Sequence, residues 1–121
     1  MKPIWKHIFD GLAKPGKGSV HLRKKYSKMS IRNSIRKKTN VAMLPADDFF
    51  IKINFVGNFA PSPHYRGNYD LDCMVETVIG ALSRFIIPDD KYVMKIEAQK
   101  VTDESYSPGE GYTEILIYHL G

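Results

Sequence analysis

The chain has 121 residues, of which 43% are hydrophobic and 26% charged, with a net charge of +5. That length supports one domain with a core of its own. The composition is that of a soluble globular protein, and no apolar run approaches the length of a bilayer span, which excludes a helical membrane protein and gives no reason to expect a membrane partner. The start of the chain lacks an apolar stretch followed by small residues, so no signal peptide is expected. Cys73 is the single cysteine; an internal disulfide is excluded and a reducing, cytoplasmic setting is expected.

The charge is segregated. Residues 1–40 carry twelve Lys and Arg against one acid, a net of +11, and residues 41–121 carry six against twelve, a net of −6. A basic arm and helix (1–45) beside an acidic body (46–121) point to a polyanionic partner, with the acids reserved for another task.

In chain order, "IWKHIF" (4–9) is expected to be a short strand. "GLAKPGKGS" (11–19) is a basic Gly/Pro loop. Its Gly11-xxxx-Gly16-Lys17 resembles a phosphate-binding loop, but Gly18 stands where the Mg²⁺-binding hydroxyl belongs and no buried strand precedes it. Residues 27–44 are expected to be helical, with Ser27 or Ser30 as cap, Ile31, Ile35 and Ala42 on one face, and Pro45 as terminator. Lys24, Lys28, Arg32 and Arg36 recur every four residues and form a positive stripe. With Arg23, Lys25, Lys37 and Lys38 they are the expected grip on that polyanionic partner.

"DFFIKINFVG" (48–57) is a strand with Phe49, Ile51, Ile53 and Phe55 on one face. Residues 58–69 form a loop in which His64, Tyr65 and Arg66 either touch the polyanionic partner or pack. "LDCMVETVIGALSRFI" (71–86) is the strongest helix, with Leu71, Met74, Val75, Val78, Leu82, Phe85 and Ile86 on one face. "YVMKIEAQKV" (92–101) alternates as a strand, Val93, Lys95, Glu97 and Gln99 opposing Tyr92, Met94, Ile96 and Ala98. After a turn, "TEILIYHL" (113–120) is the last strand. The order β-α-β-α-β-β implies a single small α+β domain with a mixed sheet and two helices. The four histidines have no spacing that suggests zinc, and Trp5, Tyr106 and Tyr112 are read as structural.

The helix 71–86 is bracketed by acids: Asp70 and Asp72 before it, Asp89 and Asp90 after it. Asp70 alone is a natural N-cap. Asp72 beside it is harder to explain by capping, because repulsion from Asp70 offsets part of the ~0.3–1 kcal/mol that the helix dipole offers. A hard divalent cation such as Mg²⁺, held by one or two carboxylates with waters and a substrate phosphate, would account for the pair. Cys73 is a space-filler in this reading, since thiolate suits softer ions.

The segment "DLDCMVETVIGALSRFIIPDDKYVMKIEAQKV" resembles the signature of the RusA family of Holliday-junction resolvases. The shared elements are Asp70-Leu71-Asp72 opening a helix, Gly80-Ala81-Leu82 within it, Asp89-Asp90 after it, and the strand from Tyr92. The resemblance covers about residues 50–120, and residues 1–45 match only in kind. It implies a small homodimeric endonuclease that uses Mg²⁺, or Mn²⁺ in its place, to cut four-way DNA junctions, with Asp70, Asp72 and Asp90 as catalytic and metal-binding carboxylates. Two positions depart from the family: Cys73 where Asn is usual, and Glu76 where a Lys is usual. Glu76 either costs a positive charge beside the scissile phosphate or joins the metal shell. A non-catalytic nucleic-acid-binding protein with the same fold is the alternative.

A straight helix over 71–86 would put its ends ~22–24 Å apart. Asp90 then reaches Asp70 and Asp72 only if the helix breaks, at Gly80 for instance, or if two chains share each site across a two-fold axis. The shared site is the expectation.

Overall fold

The structure is a computed structural model that describes residues 1–13, 20–38, 40–61 and 69–121, with side chains of the first helix described from Ser27 onward. Its elements are β1 (Trp5–Phe9), α1 (Val20–Lys38), β2 (Phe49–Gly57), α2 (Leu71–Leu82), a 3₁₀ turn (Asp90–Tyr92), β3 (Val93–Thr102) and β4 (Gly111–His119). The order is the expected β-α-β-α-β-β. The strands form one mixed sheet in the order β1-β4-β2-β3. β2 and β3 run parallel, and β4 lies antiparallel to both β1 and β2. Among the described residues no helix is long and apolar enough to cross a membrane.

Binary pattern explains the two central strands. Along β2 every second residue is buried and the others are partly exposed; β4 does the same from Gly111 to Ile117. The buried set, Phe49, Ile51, Ile53 and Phe55 with Ile115 and Ile117, meets Ile31 and Ile35 of α1 and Met74, Val78, Ala81 and Leu82 of α2. Each such side chain contributes on the order of 1.5–3 kcal/mol by leaving water. Gly57 faces Gly111 where the two strands approach closely. A Cβ on Gly57 would run into the Glu110 carbonyl, and one on Gly111 into that of Val56.

On the other face of the sheet one residue from each strand joins a polar row. Gln99 Nε2 donates to Asn54 Oδ1 at 2.9 Å, Asn54 Nδ2 donates to Glu114 Oε1 at 2.9 Å, and Glu114 pairs with Lys6 at 3.5 Å.

Three boundaries differ from expectation. α1 begins at Val20 and ends at Lys38, not near Pro45; Ala42 is therefore exposed, off the face of Ile31 and Ile35. Asn40 and Val41 are weak helix formers, and a residue before proline is steered out of the helical region. α2 stops at Leu82, not Ile86. The Leu82 carbonyl accepts from the amides of Phe85, Ile86 and Ile87 in a tight turn, which tucks Ile86 and Ile87 into the core. That apolar run imitates a further helical turn in the sequence. Finally, Phe49 pairs with Val93 but Phe50 pairs with Lys95. Met94 is the extra residue of a bulge, so Val93 joins Ile96 and Ala98 on the helix face and does not share a face with Lys95.

Candidate metal and nucleic-acid site

α2 opens at Asp70, the N-cap residue, whose carbonyl accepts the first helical bond from Met74 at 3.0 Å. An N-cap Asp ordinarily accepts from the second or third helical amide. Asp70 has the extended backbone of a cap, yet its carboxylate makes no capping hydrogen bond. Asp72 lies in the first turn and Glu76 one turn on, and all three acids are exposed. Cys73 between them senses this. Its thiol pKa is raised by partial burial first, then by the charges of Asp72 and Asp70, a hydrogen bond with Asp72, and the charge of Glu76. Asp70 and Asp72 thus share the positive end of α2, with Glu76 one turn further on. Their hard oxygen donors suit Mg²⁺ completed by waters and phosphate, whereas the raised thiol makes Cys73 a poor ligand and a poor nucleophile.

At the other end of α2, the Ser83 hydroxyl accepts from the Asp90 amide at 3.1 Å. Asp89 caps the 3₁₀ turn by accepting from the Lys91 amide at 3.0 Å. That bond, then a hydrogen bond with the Asp90 carboxyl and the charges of Arg84 and Lys91, lower its pKa against the opposing effect of burial. Asp89 is thereby engaged in its own turn, and Asp90 is the more exposed of the two.

Twelve residues of helix span ~18 Å, so Asp70 and Asp72 lie far from Asp90 within one chain. Among the described residues no group of three His, Cys, Asp or Glu comes together to hold a metal. The alternative of a helix broken at Gly80 is overturned: α2 runs unbroken to Leu82. The side chain of Lys28 lies against Gly80, where a Cβ would collide with it.

The basic residues divide into two sets. Arg32 reaches across to α2 and caps its C-terminus. Its Nε donates to the Ala81 carbonyl at 2.9 Å, and its Nη2 to those of Gly80 at 3.0 Å and Ser83 at 3.3 Å. Those donors are taken by the fold, and Arg32 is in place to hold α2 more than to hold phosphate. Arg36, Lys37 and Lys38 are exposed on the last turn of α1. Arg36 stacks on Phe85 at 4.8 Å and donates to Asn33 Oδ1, and Lys38 Nζ donates to the Ile8 carbonyl at 2.8 Å. Cations at this end also suit the α1 dipole. The side chains of Arg23, Lys24 and Lys25, the loop 14–19, and His64, Tyr65 and Arg66 lie outside the described residues.

Arg84 was not anticipated. Its φ of 60° is the left-handed region, which costs a non-glycine residue about 1–2 kcal/mol. It sits in the tight turn after α2, and its Nε lies 3.8 Å from Asp89. No sequence signal marks it, because glycine is the usual residue at such a position. No protein-family model and no curated protein sequence matches the chain.

Proposed function

We propose that the chain is a Mg²⁺-dependent endodeoxyribonuclease that resolves four-way DNA junctions, as its resemblance to the RusA family implies. The observation that carries this is the Asp70 carboxylate, which makes no capping bond although it sits at the cap and is crowded by Asp72 of the first turn. A bound cation would relieve that crowding. When bound, Mg²⁺ would acidify a water and neutralise charge developing on the phosphate. The chain's own residues would do the rest. Asp70 and Asp72 hold the ion from one copy, Asp90 of a second copy completes the oxygen set, and Arg36 and Lys37 neutralise flanking phosphates.

One observation favours a second reading. Glu76 places an exposed acid where the resembled family tends to carry a Lys, and a carboxylate there repels a scissile phosphate. A non-catalytic junction-binding protein would tolerate that.

Incubation with a synthetic four-way junction, with and without Mg²⁺, separates the two. Paired nicks that need Mg²⁺ support the endonuclease; a retarded but intact junction supports the binding protein. If the first holds, Asp72→Asn keeps junction binding and abolishes cleavage, because the amide is isosteric but lacks the charge that holds the ion. Cleavage near the wild-type rate by that variant would remove Asp72 from the site.

A further inference from the structure

The tight turn after α2 sets an arginine where the backbone favours glycine. Arg84 has a φ of 60°, a region that glycine enters without penalty and other residues do not. Its side chain does nothing for the turn that would offset this. The carbonyl of Ile79 accepts from the Ser83 amide, and that of Leu82 from the amides of Phe85, Ile86 and Ile87. Those of Gly80, Ala81 and Ser83 accept from Arg32. The end of α2 is therefore capped without the Arg84 guanidinium. Arg84 closes the turn with its main chain, the amide donating to the Ile87 carbonyl at 2.8 Å, and a glycine would make that bond equally well.

The guanidinium itself is 82% exposed, and its Nε lies 3.8 Å from an Asp89 oxygen, beyond hydrogen-bond reach. An ion pair that open to water contributes little to folding. Asp89 is already engaged by the Lys91 amide at 3.0 Å. The donors of Arg84 thus face outward, in a planar fork that matches two oxygens of one phosphate.

The geometry points to Arg84 as a phosphate-binding residue that holds the DNA backbone beside Asp90, an inference that rests on the junction-binding nuclease proposed above. The Ser83 hydroxyl, one residue before Arg84, accepts from the Asp90 amide at 3.1 Å, so Arg84 and Asp90 belong to the same end of α2. Asp89 and Asp90 alone would repel a DNA strand, and Arg84 offsets them where the strand must come closest. Two further exposed cations stand at this end. Lys91 follows Asp90 in the 3₁₀ turn, and the Arg36 guanidinium lies 4.8 Å from the ring of Phe85, the residue after Arg84. The three cations outnumber the two acids, so a phosphate meets net positive charge.

The test is equilibrium binding of the full chain to a synthetic four-way junction without metal, across a range of salt, beside urea unfolding of the same proteins. Arg84→Ala retains the left-handed strain and loses the guanidinium. It binds about tenfold more weakly, its slope of log K against log salt falls by about one, and its urea midpoint stays near that of wild type. Arg84→Gly relieves the strain, so its midpoint lies above that of Arg84→Ala while its binding is equally weak. Arg84→Lys restores the slope but only part of the affinity, because an ammonium lacks the fork. Wild-type affinity and slope in Arg84→Ala overturn the phosphate contact. A urea midpoint for Arg84→Ala well below wild type also overturns it, by assigning the guanidinium to the fold. The endonuclease reading fails separately: a chain whose binding follows this pattern yet leaves the junction uncut with Mg²⁺ overturns that reading and leaves the Arg84 contact standing, whereas a chain that binds no DNA overturns both.

Discussion

His7 shows how one residue can couple packing to pH. It is 5% exposed, stacked on Trp5, and shares a 2.9 Å hydrogen bond between Nε2 and Ser34 Oγ. Burial, then the nearby Lys38 charge, lower its pKa below the ordinary 6.5, so the folded chain prefers the neutral ring. Above pH 6.5 both folded and unfolded chains hold it neutral, and its contribution is complete. As pH falls through 6.5 the unfolded chain takes up the proton first, and stability is lost until the folded pKa is passed. His7→Gln removes that titration. The gap in urea midpoint between wild type and variant should therefore narrow from pH 7.5 to pH 5.5; a constant gap would mean His7 is protonated equally in both states. Cys73 offers a second probe. Its raised thiol should react slowly with iodoacetamide at neutral pH, and Asp72→Asn should speed the reaction by removing the strongest neighbouring charge. Equal rates would show that burial alone governs the thiol.

At the scale of the element, α1 and α2 are joined by a guanidinium as well as by apolar contact. Arg32 donates to three carbonyls at the C-terminus of α2, the end where backbone acceptors are orphaned and a cation is favoured. Phe85 packs beneath Arg32 at 5.7 Å and Arg36 at 4.8 Å. Arg32→Ala should lower unfolding free energy by about 2 kcal/mol, the range for hydrogen bonds to a charged group, and Arg32→Lys should not restore it because the fork is lost. Arg36→Ala should cost less than about 0.5 kcal/mol. Chemical denaturation of the three variants checks this; equal small losses would return Arg32 to the solvent-facing stripe. Binding measurements on Arg32 variants must therefore be normalised for folding. Arg36→Ala with Lys37→Ala is the cleaner probe of DNA contact, with the slope of log K against log salt expected to fall by about two.

For the whole molecule the question is whether acids at opposite ends of an ~18 Å helix act together. Mixing Asp72→Asn with Asp90→Asn, after subunit exchange verified with differently tagged chains, addresses it. If each site lay within one chain, every chain in the mixture would carry a defect and cleavage would stay absent. If two chains share each site, the heterodimer collects both mutations in one site and leaves the other wild type. Recovered single-strand nicking, without paired resolution of the junction, is the expected outcome. Silence would sink the shared arrangement.

The sequence by itself determined the elements and their order, because alternation along "FFIKINFVG" and the 3.6-residue stripe of "LDCMVETVIGAL" are local patterns set by which faces must leave water. It also singled out Asp70 and Asp72, since two acids at a helix start stand out against any cap. Tertiary structure alone decided three matters. The end of α2 depends on a turn that folds Ile86 and Ile87 inward with Arg84 at positive φ, while in sequence the same residues continue the apolar stripe. The role of Arg32 depends on a partner about fifty residues away, although its four-residue spacing from Lys28 and Arg36 marks it as one of a solvent-facing row. The edge position of β3 depends on strand order, which no periodicity records. A run that alternates correctly can be central and buried, as β2 is, or terminal with Ile96 left half-uncovered, and only the neighbours it pairs with make the difference.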